Sequence, residues 1–382
     1  MKALIFAVLL AGHPDVGQSD IAIQFCPKAQ VRPYPLDADG RQQGLLLQAF
    51  TIVNRSPHDV DIQRVDLSLL DEGQVIDTRI LDRRQIKRWG GNGPPLQEAM
   101  SSAPFLFCGE TIIPEGVSLS GPRLAQNQGL IVANQIFAYD RERDALRVDV
   151  YALSEGKDVL VSATIPIRSG FARARYSFPL KGEWYVEWGA SFHTGHRSLP
   201  FQEFALDLVR VGPSGSTHNA GGADFEDYYA YGEPVLAAAD GKVVRAVDGR
   251  PEHSQTMRRD DESIEDYSVR HAAGQAALAS SARDGMAGNY VVIDHGGSEF
   301  SFYAHLQPGS LAVKVGDVVK AGDVLGALGS SGQSTEPHLH FHVCDNEDLV
   351  ICAGIPVNFE DVHLRGDEQN RAIQSGDFIA TN

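Results

Sequence analysis

The sequence predicts an all-β chain, with an N-terminal β-sandwich-like region followed by a second, mostly antiparallel β fold. Three observations predict it. Apolar and polar residues alternate over short segments, as half-buried strands require. Glycine-rich turns bound those segments, because glycine adopts positive φ at little steric cost. Strong helical periodicity is absent. The 382 residues, 43% of them hydrophobic, are enough for two cores, since single domains hold about 100 to 200 residues.

In chain order, Met1 and Lys2 precede an apolar run at 3–12. The run has the length of a signal-peptide core and is too short to span a bilayer. Residues 1–19 are therefore read as a signal peptide, with a buried first strand as the alternative. Only one basic residue precedes the run, and no clear small-x-small cleavage site follows it. Over 20–170, segment 44–53 is apolar-rich, 60–70 and 145–153 alternate, and turn formers separate them, the spacing of a β-sandwich. Segment 85–110 carries Gly90-Gly91 and Pro94-Pro95 and few strand formers, which predicts a long irregular loop.

The region 171–365 contains Gly-bounded strands at 234–239, 241–247, 289–294, 300–305, 323–328 and 338–344, closed by turns such as Asp240-Gly241 and Val315-Gly316-Asp317. An insertion at 248–287 interrupts it. Its small-residue run at 272–282 fits a short helix, and the insert reads equally as a lid or as a surface loop. Residues 366–382 are expected as a tail. No later segment is apolar for long enough to cross a membrane, so no stable membrane span is expected.

Lys and Arg number 33 against 50 Asp and Glu, a formal charge of −17. Such a chain has no basic surplus to neutralise a phosphate backbone or an anionic bilayer, which argues against nucleic acid as a partner. The four cysteines are Cys26, Cys108, Cys344 and Cys352. The last two flank a polar stretch and fit a hairpin disulfide, with four buried thiols as the alternative; spacing does not fix the connectivity. None has the close paired spacing of a structural zinc site.

Chemistry concentrates near the C-terminus. In Pro337-His338-Leu339-His340-Phe341-His342 the histidines occupy alternate positions, so a strand here turns three imidazoles to one face and Leu339 and Phe341 to the other. Neutral imidazole is a good zinc ligand, and a metal accommodates such crowding; a solvent-exposed stripe is the alternative. His305 ends the strand Phe300-Ser301-Phe302-Tyr303-Ala304-His305, where a side chain can reach a cleft. Upstream, a loop with His193, His196 and Arg197 leads into Phe204-Ala205-Leu206-Asp207-Leu208-Val209. A carboxylate within an apolar strand needs a metal or a cation, and Arg197 is the structural alternative.

Several runs follow one another in a recognisable order. They are Tyr231-Gly232-Glu233-Pro234-Val235 ahead of Asp240-Gly241, Gly288-Asn289-Tyr290 ahead of Asp294-His295-Gly296, then Tyr303-Ala304-His305-Leu306, Val315-Gly316-Asp317 and Pro337-His338-Leu339-His340. Over roughly 185–360, about half of the chain, this order resembles the lysostaphin-like (M23) zinc metallopeptidases. The resemblance implies Zn2+ held by His196, Asp207 and His340, with His305 and His338 as the catalytic histidines. It also implies hydrolysis of peptide bonds in bacterial peptidoglycan stem peptides or cross-bridges, by an exported protein of the periplasm or the extracellular envelope. His342 is left between support of a ligand and plain packing. One departure stands out: the family's commonest pattern places its first histidine four residues before the aspartate, where this chain has Glu203. Longer members resembling this chain place that ligand in an earlier loop before a segment like 202–207, which favours His196 over His193.

Two rival readings remain. A catalytically inactive M23-like module that binds or activates another wall hydrolase is expected to lose some of the five positions. The other rival is a carrier or phosphotransfer domain, since the Gly-Asp turns occur in these too; a lipoyl or biotinyl carrier needs a modifiable lysine at a hairpin tip, and Lys320 lacks the usual Met-Lys pairing. A phosphotransfer protein would need two histidines but neither Asp207 nor a metal.

Overall fold

Long alternating segments at the N-terminus form two sheets that bury one face against each other. In the computed structural model one sheet has Gln42–Asn54 between Ile21–Cys26 and Gln128–Asp140. The other runs Lys157–Pro166, Ala145–Ser154, Val60–Asp71 and Gln74–Leu81. Leu45, Leu47, Phe50 and Ile52 from the first sheet share one core with Val65, Leu67, Leu146 and Val148 from the second, which is the expected sandwich. Residues 20–37, 39–102, 108, 112–191, 195–219, 221–253, 257, 262–281, 284–349, 351–366 and 371–381 are described. The expected signal peptide at 1–19 and the candidate His193 lie outside them.

The loop expected over 85–110 is corrected by a helix, Arg83–Ser102, with Pro94 and Pro95 inside it. Its start is set by a reciprocal cap. The Asp82 carboxylate accepts from the backbone N–H groups of Arg84 and Gln85, and the Gln85 side-chain carbonyl accepts from the Asp82 N–H. The helix's own Ile86 and Met100 are buried against the sandwich. Gly90 permits close approach, since a Cβ there would lie 2.5 Å from Gly121 Cα. Glycine and proline content had suggested a loop; the cap and the apolar spacing prevail.

The second region forms a ten-stranded sheet. Its main path runs Val318–Val319, Gly241–Val247, Asn289–Asp294, Phe300–Leu306, Leu339–Cys344, Leu206–Val209, Glu183–Trp188, Phe378–Thr381 and Val362–Leu364. The pairings along it are antiparallel. A two-stranded ribbon of Pro234–Leu236 and Val324–Ala327 accompanies it. Residues expected as a tail thus contribute the strand Phe378–Thr381, whose Ile379 is fully buried. The insertion forms an 18-residue helix, Ile264–Ser281, longer than expected because Ser263 and Asp266 cap its start. Disulfides join Cys26 to Cys108 and Cys344 to Cys352. Among the described residues no helix is long and apolar enough to cross a membrane.

Period-two alternation divides the large sheet chemically. Leu206, Leu208, Leu339, Phe341 and Val343 enter the main core of this region. The intervening Asp207, His338, His340 and His342 share the opposite face.

Candidate active site

Register brings the site together. Leu206–Val209 pairs antiparallel with Leu339–Cys344 so that Asp207 lies directly opposite His340, while Ala304 flanks His340 from the other side. Facing residues on adjacent strands have Cβ atoms about 5 Å apart, within reach of one another's side chains. His340 Nδ1 lies 2.8 Å from Asp207 Oδ1. His196 arrives from the 3-10 turn Gly195–Ser198, with Nε2 3.2 Å from Asp207 Oδ2. One ligand atom from each of His196, Asp207 and His340 lies within 4.8 Å of the others. Two imidazoles and a carboxylate form a donor set suited to zinc. The group formed by His342, Cys344 and Cys352 is also close, but its sulfurs are joined in a disulfide.

His305 reaches the cluster through a backbone irregularity. Between the pairs Asn289–Leu306 and Val291–Tyr303 the register shifts, and His305 adopts φ +66°. A bulge of this kind bends a strand and re-aims a side chain. The His305 ring sits 4.6 Å from the His338 ring, centroid to centroid, and 5.9 Å from that of His340. His305 Nδ1 lies 2.8 Å from the Ser331 carbonyl, and His338 Nδ1 lies 2.8 Å from the Glu336 carbonyl. A carbonyl only accepts, so in both rings Nδ1 carries the hydrogen and the neutral form keeps its lone pair on Nε2. His338 Nε2 stands 3.7 Å from Asp207 Oδ1.

Burial and charge set the protonation states. Burial opposes ionisation of Asp207, but His196, His338 and His340 outweigh it and hold the carboxyl well below the usual range. Burial lowers the pKa of His340 despite the Asp207 hydrogen bond. His305 is pushed well below the ordinary histidine value by burial and by the neighbouring His338 and His340. For His196, burial is outweighed by the Asp207 carboxylate and the Ala205 carbonyl, which raise its pKa. Arg197, the alternative partner for Asp207, pairs instead with Glu203 at 3.2 Å.

Three further groups border the site. His342 Nδ1 lies 2.9 Å from His340 Nε2, and its ring stacks on Phe302 at 4.6 Å and 13°. Glu187, on Glu183–Trp188, is pushed up to about 7 by burial and then by the Glu336 carboxylate. Burial also raises Glu336. Glu187 sits in the apolar run Trp184-Tyr185-Val186-Glu187-Trp188, the same kind of signal that marks Asp207, whereas Glu336 lies just outside the histidine motif.

Residues 218–351 match the model of peptidase family M23. That segment, about a third of the chain, is similar to the M23 peptidases. His305, His338 and His340 fall within the matched segment, whereas His196 and Asp207 precede it, where the spacing departs from the common pattern. Among similar proteins, the peptidoglycan DD-endopeptidase ShyC of Vibrio cholerae is 40% identical over 75 residues, 20% of this chain and 17% of that protein. The glycyl-glycine endopeptidase ALE-1 of Staphylococcus capitis is 31% identical over 149 residues, 39% of this chain and 30% of that protein. The chain therefore spans under a third of either relative's length. The solved catalytic domain of lysostaphin from Staphylococcus simulans aligns at 21% identity over 46% of this chain and 88% of that chain, with a TM-score of 0.25.

Proposed function

We propose that this chain is a zinc-dependent metalloendopeptidase that hydrolyses peptide bonds in bacterial peptidoglycan, in stem peptides or cross-bridges, outside the cytoplasmic membrane. The convergence of His196, Asp207 and His340 carries the reading. Support for the substrate comes from the M23 family and from relatives named as peptidoglycan endopeptidases. Two disulfides accord with an oxidising compartment.

His196 Nε2, an Asp207 carboxylate oxygen and His340 Nδ1 would hold the ion. When bound, zinc supplies a Lewis acid and a water of lowered pKa, near about 7, in the position that three protein ligands leave open. The chain's own groups do the rest. His305, neutral through burial and fixed by Ser331, presents Nε2 as a proton acceptor. His338, fixed by Glu336, presents its own Nε2 alongside. Between them one ring takes a proton from the attacking water on Nε2 and passes it to the leaving amine, and the other, once it carries a second hydrogen on Nε2, donates a hydrogen bond to the developing oxyanion. Asp207 stays ionised and keeps His196 and His340 oriented.

Elemental analysis of the purified chain, paired with cleavage of isolated peptidoglycan, tests the reading. We expect near one zinc per chain, lost in Asp207→Ala and His196→Ala. His305→Ala should keep zinc and lose cleavage. A folded wild type that takes up no added zinc, or a His196→Ala protein with full zinc, refutes the assignment.

A further inference from the structure

The turn that presents His196 is held from outside the M23 half. Gln48, fully buried on Gln42–Asn54 of the N-terminal sandwich, donates through Nε2 to Glu203 Oε2 at 2.6 Å and to the Arg197 backbone carbonyl at 3.3 Å. Its Oε1 has no partner among the described residues, so this amide is spent on the turn's Arg197 carbonyl and on Glu203, which itself pairs with Arg197. The carbonyl it binds belongs to the residue directly after His196. Glu203 in turn pairs with Arg197 across the turn at 3.2 Å, with both side chains almost wholly buried.

A second sandwich residue clamps the same turn. Arg197 Nη1 donates to the Ala190 carbonyl at 3.0 Å, and its guanidinium lies 5.1 Å from the Phe204 ring. Phe204 stacks on Tyr34 of the sandwich at 5.7 Å and 21°, and the Tyr34 hydroxyl donates to the Ile373 carbonyl at 2.5 Å. A 3-10 turn has weak hydrogen-bond geometry of its own, so its shape depends on these external partners.

We infer that Gln48 is a positioning residue for the metal centre: through Glu203 and the Arg197 carbonyl, the N-terminal sandwich fixes the turn that aims His196 at Asp207. Glu203 thereby has a task at the place where the family's common pattern has its first histidine. The inference rests on the zinc reading above. It gives the sandwich a part in building the site.

The test uses the full chain and zinc itself as probe. Gln48→Met keeps the side chain's length and removes the donor; Gln48→Ala is the second variant should the first pack poorly. Ser68→Ala, which loses a half-buried hydrogen bond to Thr78 within the sandwich sheet that does not carry Gln48, is the control for general loosening. Zinc affinity is measured by competition with a chromophoric chelator, and the melting temperature of the metal-free protein in parallel. Outer partners of metal ligands typically change affinity by about 10- to 100-fold. We expect at least about tenfold weaker zinc binding in a Gln48 variant that melts within a few degrees of Ser68→Ala, with Ser68→Ala binding zinc as wild type does. A folded Gln48 variant with wild-type affinity overturns the inference and leaves the zinc reading standing, and so does equal weakening in Ser68→Ala. A wild type that binds no zinc overturns both.

Discussion

Replacing His342 with phenylalanine isolates one hydrogen bond beside the proposed metal centre. The substitution keeps a flat ring against Phe302, now stacked at 4.6 Å, and removes the acceptor that faces His340 Nε2 at 2.9 Å. Ligation through His340 Nδ1 puts the imidazole hydrogen on Nε2, where His342 Nδ1 accepts it. His342 then carries its own hydrogen on Nε2, which is buried without a partner among the described residues. Burial, followed by the charges of His340 and His196, keeps His342 neutral by holding its pKa well below the ordinary value, as this relay requires. His340 and His342 are each only 4% exposed, so water cannot readily replace the lost partner. An orphaned buried N–H costs about 1 to 3 kcal/mol, which at about 1.4 kcal/mol per decade is roughly 5- to 150-fold in affinity. His342→Phe should therefore bind zinc about 10- to 100-fold more weakly, the range typical of outer partners. Competition against a chromophoric chelator measures it, with far-UV circular dichroism to confirm the fold. A dissociation constant within twofold of wild type would refute the relay.

Other perturbations separate structure from chemistry. A Cβ on Gly288 would lie 2.4 Å from the Ser331 carbonyl, at φ +63°. Gly288→Ala should displace the group that fixes His305, so turnover of peptidoglycan falls sharply while zinc content stays near wild type. The Cys26–Cys108 bridge spans 82 residues and Cys344–Cys352 spans 8. Loop entropy predicts that opening the first costs about 4.5 kcal/mol and the second about 2.5, an order that urea unfolding of the two double Cys→Ala variants will check. Burial and then the Glu336 carboxylate push Glu187 up to about 7 in the folded protein, above the ordinary glutamate range, so the native state binds that proton more tightly. Its contribution is full below the unfolded value and is lost as pH rises through about 7. The buried neutral histidines push the other way in both proteins, so the check is the difference: Glu187→Gln should gain in urea midpoint over metal-free wild type as pH rises from 5 to 8.

Much of this was legible because β structure writes its faces in alternate letters. The alternation in 338–342 assigned three histidines to one face without any knowledge of the partners. What stayed hidden depends on register and distant contact. Nothing local to Asp207 says that His340 lies opposite it, or that Arg197 turns away toward Glu203. The resemblance supplied His196, and the turn geometry accounts for its unusual spacing. Gln48 could not be singled out, since an isolated glutamine in an apolar strand carries no mark of a partner 155 positions away. The helix Arg83–Ser102 was readable from Asp82 and Gln85, a capping pair that the nearby glycines and prolines obscured.

The left-handed backbone at His305 sets a trap for protein engineering. A side chain there pays a conformational penalty, about 1 kcal/mol or more, that glycine would not. Screening this protein for heat resistance alone, or designing it toward maximal stability, would favour His305→Gly or His305→Asn. The improved molecule would keep its proposed zinc donors and lose one of the two imidazoles proposed to act beside them. Libraries built on this scaffold should hold position 305 fixed, and a relative with glycine there would read as a stable scaffold that has given up catalysis.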